Sequence, residues 1–430
     1  MLGAFAAALR TPDLRKKILF TLGIITLFRL GSVVPTPGVS YGAIQTCIAQ
    51  VQDNSIYGLI NLFSGGALLQ LSIFALGIMP YITSSIIIQL LTVVIPRLEA
   101  LKKEGQAGSA KITQYTRYLT IGLAILQSTT ILTLARTPGQ LFQGCAEQLI
   151  PDQSIQILLT MVIVMTAGTS IIMWLGELVT DRGVGNGMSI LIFTSIISTF
   201  PGQLSSIWKI DGSLKFILTL VIGFATIAGV VFVEQAQRRI PVQYAKRMVG
   251  RRSYGGTSTY LPIKVNQSGV IPVIFASSLL YLPLLIVQLT GSTATWAQWM
   301  ATNFNSGRPA YLITNFVLIL FFAYFYVSIT FNPVEVADDM KKYGGFIPGI
   351  RAGKPTSDYL AFVINRITLP GALYLAAIAT IPYIAFAVLG VGQRFIFGGT
   401  SLLIMVGVGL DTVKQIESQL QQRNYEGFLK

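Results

Sequence analysis

The sequence has no histidine and only 17 acidic residues among its 430 residues. The lack of histidine excludes imidazole metal ligands, histidine bases and histidine pH switches. The acidic residues all fall outside the middle of the apolar segments, so no carboxylate is available there for catalysis or for ion coupling. We therefore expect neither an enzyme nor a bound cofactor.

Two glycine-rich strings lack the residues of a phosphate-binding loop. RGVGNGMS (182–189) has no lysine and leads into an apolar segment. GIRAGKPT (349–356) is one residue short between its glycines and has Pro355 where serine or threonine would bind magnesium. Energy for any work should therefore come from a partner or a gradient.

Charge of either sign is scarce: 11% of the residues are charged, 52% are hydrophobic and the mean hydropathy is +0.65. Soluble domains carry about 25% charged residues. The composition thus predicts an all-α polytopic membrane protein. Ten apolar segments are long enough to span a bilayer, at roughly 17–34, 71–95, 116–135, 153–176, 187–208, 214–233, 269–290, 309–331, 367–389 and 396–413.

Lysine and arginine fall mostly on one side of these segments. Of the 31 basic residues, 25 lie on the side of the two termini and five on the other, while Arg29 lies within the first segment. Because basic loops stay on the cytoplasmic side, both termini are predicted to be cytoplasmic.

The ten segments divide into two sets of five, in residues 1–210 and 211–430. Five is odd, so a duplicated half would enter the membrane upside down and give inverted repeats around a shared site. No residue-level similarity between the halves is visible, so this expectation rests on parity and length. Two functions fit it: a protein-conducting channel, or a small-solute secondary transporter with inverted repeats.

A short apolar piece, Leu59 to Leu69, precedes the second segment and is broken by Gly65 and Gly66. It is too short to span a bilayer. Its spacing favours an interfacial helix, and the alternative is a helix that dips into a protein-lined cavity.

The two longest loops, about 234–268 and 332–366, are basic. The first has alternating stretches at 240–249 and 258–265 around a glycine-containing turn, which predicts a hairpin. The charge would hold the loops in the cytoplasm, or form a docking platform for an acidic protein or RNA. The candidate docking residues are Arg238, Arg239, Lys246, Arg247, Arg251, Arg252 and Arg351.

Many strings along nearly the whole chain resemble the SecY family, the channel-forming subunits of the bacterial-type Sec protein translocon. They include NLFSGGA (61–67), FALGIMPYITSSIIIQLLTVV (74–94), DRGVGNGMSI (181–190), QRRIPVQYAKR (237–247), KVNQSGVIPVIFASS (264–278) and FNPVEVADDMKKYGGFIPGIRAGKPT (331–356). The resemblance implies ten helices in two inverted pseudo-symmetric halves around an hourglass pore, in the bacterial plasma membrane.

The resemblance also assigns roles to residues. A pore ring of aliphatic side chains falls on Ile78, Ile82, Met188, Ile192, Ile274 and Ile404. A plug helix at about 57–68, including Leu59, Ile60, Asn61, Leu62, Phe63, Ser64, Gly65 and Gly66, replaces the interfacial helix that spacing favours. A lateral gate includes the polar positions Gln89, Asn186 and Asn266.

The implied partners are SecE-like and SecG-like small membrane subunits, the SecA motor ATPase and the ribosome. Signal peptides, unfolded precursor proteins and membrane lipids would also contact the chain. The two long basic loops would bind the ribosome or SecA, with Arg351 as a leading contact.

The resemblance says nothing about the two cysteines, Cys47 and Cys145, which both fall on the extracytoplasmic side. Oxidation is feasible there, and a disulfide would tie the first loop to the third. We expect two unpaired thiols, with the disulfide as the alternative.

Overall fold

The computed structural model describes residues 10–50, 64–137, 145, 147–244, 247–249, 252–254, 258–290, 294–304, 308–389 and 399–427. The chain is mainly helical, and each of the ten predicted segments contains a helix. The helices are α1 (Pro12–Val33), α2 (Tyr41–Gln50), α3 (Met79–Val94), α4 (Pro96–Lys103), α5 (Gln106–Arg136), α6 (Ile155–Arg182), α7 (Gly187–Gln235), α8 (Ile271–Thr290), α9 (Thr295–Asn303), α10 (Pro309–Thr330), α11 (Pro333–Lys342), α12 (Lys354–Leu389) and α13 (Gly399–Gly427).

Among the described residues, six helices are long and apolar enough to cross a membrane. The number rises to seven if α3 and α4, which meet at a bend of 100°, count as one broken span. The bend lies at Ile95, where the backbone is extended before Pro96. A residue before proline is disfavoured in the helical region, which explains the break.

The second predicted span, 71–95, is wrong in its first part. Residues 65–78 form turns, and the helix begins only at Met79. This segment is held to the end of α1 by backbone hydrogen bonds, from Ile73 N to Val34 O at 3.0 Å and from Thr36 N to Leu71 O at 3.0 Å. Hydropathy records only that these residues are apolar, so it could not reveal the turns.

Two other helices extend beyond their predicted apolar segments. Helix α12 begins already at Lys354, inside the stretch predicted as a loop up to residue 366. Helix α13 continues to Gly427, well past the predicted end at 413. In both cases the helix extends beyond its apolar part into a polar part that a hydropathy window does not record.

Helix α7 consists of two arms, Gly187–Lys209 and Gly212–Gln235, that meet at a kink. Gly212 has φ of +84° and ψ of 170°, a conformation that only glycine adopts readily. The kink separates the fifth predicted segment from the sixth, as expected.

The hairpin predicted in the first long loop is confirmed. Strand β1 (Gln237–Tyr244) pairs antiparallel with β4 (Ser258–Lys264), and β2 (Arg247–Val249) pairs with β3 (Arg252–Tyr254). A strand from the second long loop, β5 (Gly345–Phe346), extends this sheet in the order β4–β1–β5. The sequence did not predict that the two loops share a sheet.

A hydrophobic cluster supports the sheet. It joins Ile240 and Ile263 of the strands to Ile347 and to Leu360 of α12, all buried. The alternation along β1 places Ile240 and Val242 inward and leaves their neighbours exposed. The two loops therefore form one packed unit.

Cys47 and Cys145 form a disulfide, so the expectation of two unpaired thiols is wrong. Two hydrogen bonds join the same segments: Thr46 Oγ1 donates to Glu147 Oε2 at 2.9 Å, and Ser40 N donates to Leu149 O at 2.9 Å. Both cysteines are buried in a cluster with Leu68 and Leu71. Packing brings the two sulfurs together across a sequence separation of 98.

Candidate functional site

The six side chains predicted to form a ring lie in one hydrophobic cluster. Ile78, Ile192, Ile274 and Ile404 are buried in it, and Ile82 and Met188 pack against it half-buried. They come from the start of α3, the first arm of α7, α8 and α13. Ile82 N donates to Ile78 O at 3.1 Å, so this i, i+4 pair lies on one helix face as the spacing predicts.

Close backbone packing positions the α7 residues of this cluster. A Cβ atom on Gly187 would lie 1.9 Å from Gly176 O of α6, and one on Gly176 would lie 2.4 Å from Met188 Sδ. Glycine at both positions allows the two helices to approach closely. The Asn186 side chain then caps α7, with Oδ1 accepting from Ser189 N at 3.3 Å.

A cavity of about 470 Å³ adjoins this cluster. Four of the predicted ring residues, Ile82, Met188, Ile192 and Ile274, contribute to its wall. The polar part of the wall contains Tyr81, Ser85, Gln89, Thr113, Arg117, Glu177, Thr180, Asp181, Asn186 and Ser189. The cavity therefore has an aliphatic side and a polar side.

An ion pair on the polar side links α5 to α6. Arg117 Nε donates to Glu177 Oε1 at 2.9 Å, and Arg117 Nη2 donates to Glu177 Oε2 at 2.7 Å. The geometry is bidentate, which fixes the relative position of two planar groups. The sequence analysis did not predict this pair, because no local pattern relates two residues that are 60 positions apart.

Two of the three predicted lateral-gate residues, Gln89 and Asn186, face this cavity. Asn266 lies elsewhere: it is 3% exposed, and its Nδ2 donates to Glu234 Oε1 at 2.5 Å and to Gly269 O at 3.1 Å. The structure thus brings Gln89 and Asn186 together and does not include Asn266 in the cavity wall.

Only the end of the predicted plug lies within the described residues, and Leu59, Ile60, Asn61, Leu62 and Phe63 lie outside them. Ser64 is buried, and its Oγ accepts from Leu68 N at 3.2 Å. The predicted helical end near residue 68 is wrong, because helix stops at Ser64 and turns follow. Gly65 and Gly66 have φ of +66° and +92°, which a right-handed helix cannot contain.

The Gly65 carbonyl has a charged partner. Arg29 Nη1 of α1 donates to Gly65 O at 2.8 Å and to Ser198 Oγ of α7 at 2.9 Å. The sequence marked Arg29 only as a basic residue within the first span, and gave no signal for these acceptors.

The predicted docking residues with described side chains are exposed. Arg238 and Arg239 lie on β1, and the Arg239 guanidinium lies 4.8 Å from the centre of the Tyr260 ring. Arg351 lies in the turn between Gly349 and Gly353, whose φ values are +83° and +99°. Thr356 Oγ1 donates to Arg351 O at 2.8 Å and holds this turn.

Two further docking candidates, Arg247 and Arg252, lie on the short strands β2 and β3. The backbone of Arg247 pairs with Tyr254, and that of Arg252 pairs with Val249. Lys246 and Arg251 lie outside the described residues.

A family model for SecY matches residues 72–413. The chain belongs to the SecY family. It is 66% identical over 441 residues to the protein translocase subunit SecY of Streptomyces scabiei, and 60% identical over 443 residues to that of Mycobacterium bovis. Both alignments cover 100% of this chain and 100% of the relative.

Solved structures show the same fold. This SecY-family chain matches the structure of a protein conducting channel with a TM-score of 0.64 and 18% identity. A structure from work on the plug domain of a SecY protein gives 0.63 and 19%, and Sec61 in the canine ribosome-channel complex gives 0.60 and 17%. Each match covers 94% of this chain and 91% of the other.

Proposed function

We propose that this chain is the pore-forming subunit of a protein-conducting channel. It moves unfolded secretory polypeptides across a membrane and releases hydrophobic segments sideways into lipid. The observation that carries the proposal is the cluster in which aliphatic side chains of α3, α7, α8 and α13 meet. We infer that these residues, which are far apart in sequence and of one chemical kind, form the collar of the pore.

An aliphatic collar suits this task. An unfolded polypeptide presents every kind of side chain, so fixed hydrogen-bonding groups would retain some sequences. An apolar constriction makes no directional bonds, and it excludes ions and water by dewetting when empty. Flexible aliphatic chains, including Met188, can close around a moving chain.

The plug provides the second barrier of the resting channel. The family resemblance assigns this plug to residues 57–68, of which Ser64 to Gly66 lead into the turns before α3. The relative whose structural study names a plug domain supports this assignment by its fold.

The lateral gate opens beside the cavity that Gln89 and Asn186 line. A hydrophobic segment leaves there because leucine, isoleucine, valine and phenylalanine favour the membrane and charged residues do not. Asn266, which contacts Glu234 outside the cavity wall, remains a predicted gate residue, and its contact must break if it takes part in opening.

The two basic loops dock the partners. The ribosome or a SecA-like motor ATPase binds the sheet through Arg238, Arg239 and Arg351, together with Lys246, Arg247, Arg251 and Arg252. SecE-like and SecG-like subunits bind the membrane-embedded helices. The chain itself is not an enzyme, and the energy comes from the motor or from the ribosome.

The protein resides in the bacterial plasma membrane with both termini in the cytoplasm. Its halves, 1–210 and 211–430, are inverted repeats that move apart when the channel opens. The kink at Gly212, close to their boundary, supports this division.

A small-solute transporter is the less favoured function. Such a carrier needs coordinating groups at the depth of its substrate, whereas aliphatic side chains from four helices meet at the ring.

Reconstitution tests the proposal. The full chain is placed in lipid vesicles with a SecE-like subunit and a motor ATPase, and a secretory precursor is added with ATP. We expect ATP-dependent protection of the precursor from external protease, at a level similar to that of the Streptomyces scabiei relative treated in the same way. If the relative protects the precursor and this chain does not, the proposed function is wrong.

A further inference from the structure

Arg29 is a charged side chain on α1, within the first predicted membrane segment. A charge at this depth is costly and is normally retained where it has partners and a function. Its side chain is half-buried on α1, between the buried Phe28 and the exposed Leu30.

The guanidinium of Arg29 links three segments that are far apart in sequence. One nitrogen, Nη1, donates to Gly65 O at the end of the plug and to Ser198 Oγ on α7. Ser198 Oγ in turn donates to Ser195 O at 2.7 Å. Bonds from a cation are about twice as strong as neutral ones, so this contact outweighs an ordinary polar contact between helices.

Gly65 fits closely between α1 and α7. A Cβ atom at this position would lie 2.9 Å from Arg29 Nη1 and 3.1 Å from Ser195 Cα, and φ is +66°. Both the space and the backbone conformation therefore require glycine, and the carbonyl reaches the guanidinium for that reason.

The hydrogen bond from Arg29 is to Gly65, at the start of the turn segment 65–78. Further along, residues 71–73 are held to residues 34–36, which follow α1, by backbone hydrogen bonds and by the bridge between Pro35 and Ser72. Phe74 stacks on Phe28 with ring centres 6.0 Å apart. Residues 71–74 are thus anchored independently of Arg29, whereas Gly65 is held by its hydrogen bond from Arg29.

We propose that Arg29 is a latch, a positioning residue that holds Ser64–Gly66 against α1 and α7 in the closed channel. Its hydrogen bonds to Gly65 and Ser198 break before the plug leaves the pore. Water that enters the opened pore then solvates the guanidinium, so the latch can reform when the chain has passed. This inference rests on the proposed function, because it assumes that the segment before Ser64 closes the channel.

The test compares four variants of the full chain in vesicles without precursor or motor. Arg29→Met removes every donor, Arg29→Lys keeps the charge, Ser198→Ala removes one acceptor, and Arg136→Met makes the same change at an exposed arginine of α5. The measurements are ion efflux through the resting channel and hydrogen–deuterium exchange of residues 64–72.

We expect Arg29→Met to raise resting efflux on the order of tenfold, since loss of charge-assisted bonds shifts the closed–open equilibrium by that factor. Ser198→Ala should raise it about threefold, and Arg29→Lys should restore most of the seal. Exchange in residues 64–72 should rise in parallel, while Arg136→Met should match the wild type in both measurements.

Equal efflux and equal exchange in Arg29→Met and wild type would overturn the latch. Faster exchange throughout α5 and α6 would also overturn it, because Arg29 would then stabilise the fold in general. The proposed function is measured separately, by precursor protection in the wild type. If protection is normal and the latch variants do not leak, only the latch is wrong; if wild-type protection is absent, the proposed function is wrong.

Discussion

Gln243 of β1 and Phe346 of β5 are paired residues of one antiparallel sheet, although they belong to the two different long loops. The pairing means that Arg238 and Arg239 of the first loop, and the segment of the second loop that leads to Arg351, belong to a single packed unit with its own hydrophobic cluster. A rigid unit of this kind presents its charges in a fixed arrangement, which favours specific docking over diffuse attraction.

Reversing the charge of Arg351 should separate docking from folding. Arg351→Glu should abolish ATP-driven precursor passage and weaken motor binding on the order of tenfold. The side chain is exposed, and the bond from Thr356 is to the backbone carbonyl, which the substitution keeps. The free energy of unfolding should therefore change by less than about 0.5 kcal/mol. Binding of the motor to the vesicles measures the first effect, and thermal unfolding of the variant measures the second.

Arg308→Glu, an exposed arginine preceding α10, is the matched control and should bind the motor normally. Normal precursor passage by Arg351→Glu would contradict the docking assignment.

A polar residue in the ring should break the seal. Ile404 is 1% exposed, and Ile404→Asn replaces an aliphatic side chain with an amide that retains water. We expect ion efflux from resting vesicles to rise several-fold, and the free energy of unfolding to fall by about 2 kcal/mol because the apolar burial is lost.

Ile404→Val keeps the chemistry and should cost only about 1 kcal/mol without leakage. An Ile404→Asn channel as tight as the wild type would show that this cluster is not the constriction.

Reduction of the disulfide should destabilise the two segments that it joins, around Cys47 and Cys145. Cys47→Ser with Cys145→Ser should lower the free energy of unfolding by about 2–4 kcal/mol, because the cross-link no longer restricts the unfolded chain. Thermal unfolding with and without reductant measures the effect. Reductant should have no effect on the double variant, and alkylation of two thiols in the untreated, denatured protein would contradict the bond.

The close approach of α6 and α7 should depend on glycine. In Gly187→Ala the new methyl group would lie 1.9 Å from Gly176 O, so a backbone must shift. We expect a loss of about 1–3 kcal/mol and a lower yield of folded protein.

Gly122→Ala is the control, because a Cβ there has no neighbour within 4 Å. It should be neutral or stabilising by up to about 1 kcal/mol. Equal yields and equal stabilities of the two variants would contradict the tight packing at Gly187.

The candidate site was predictable only in part. Ile78 with Ile82, and Met188 with Ile192, are separated by four residues, which places each pair on one helix face. Apolar pairs with this spacing occur throughout the chain, so their meeting in one cluster could be expected only from the resemblance to a family. The Arg117–Glu177 pair and the Arg29 contacts lacked even that signal, because they join residues of different elements.

The sequence by itself determined the membrane class, the ten apolar segments and the hairpin of the first long loop. These features depend on local composition and periodicity, which a chain carries whatever its neighbours are. Tertiary structure decided the turns at 65–78, the disulfide, the shared sheet of the two loops and the acceptors of Arg29. Each of these depends on contacts between residues that are distant in sequence, and such contacts are set by packing and backbone hydrogen bonding rather than by local pattern.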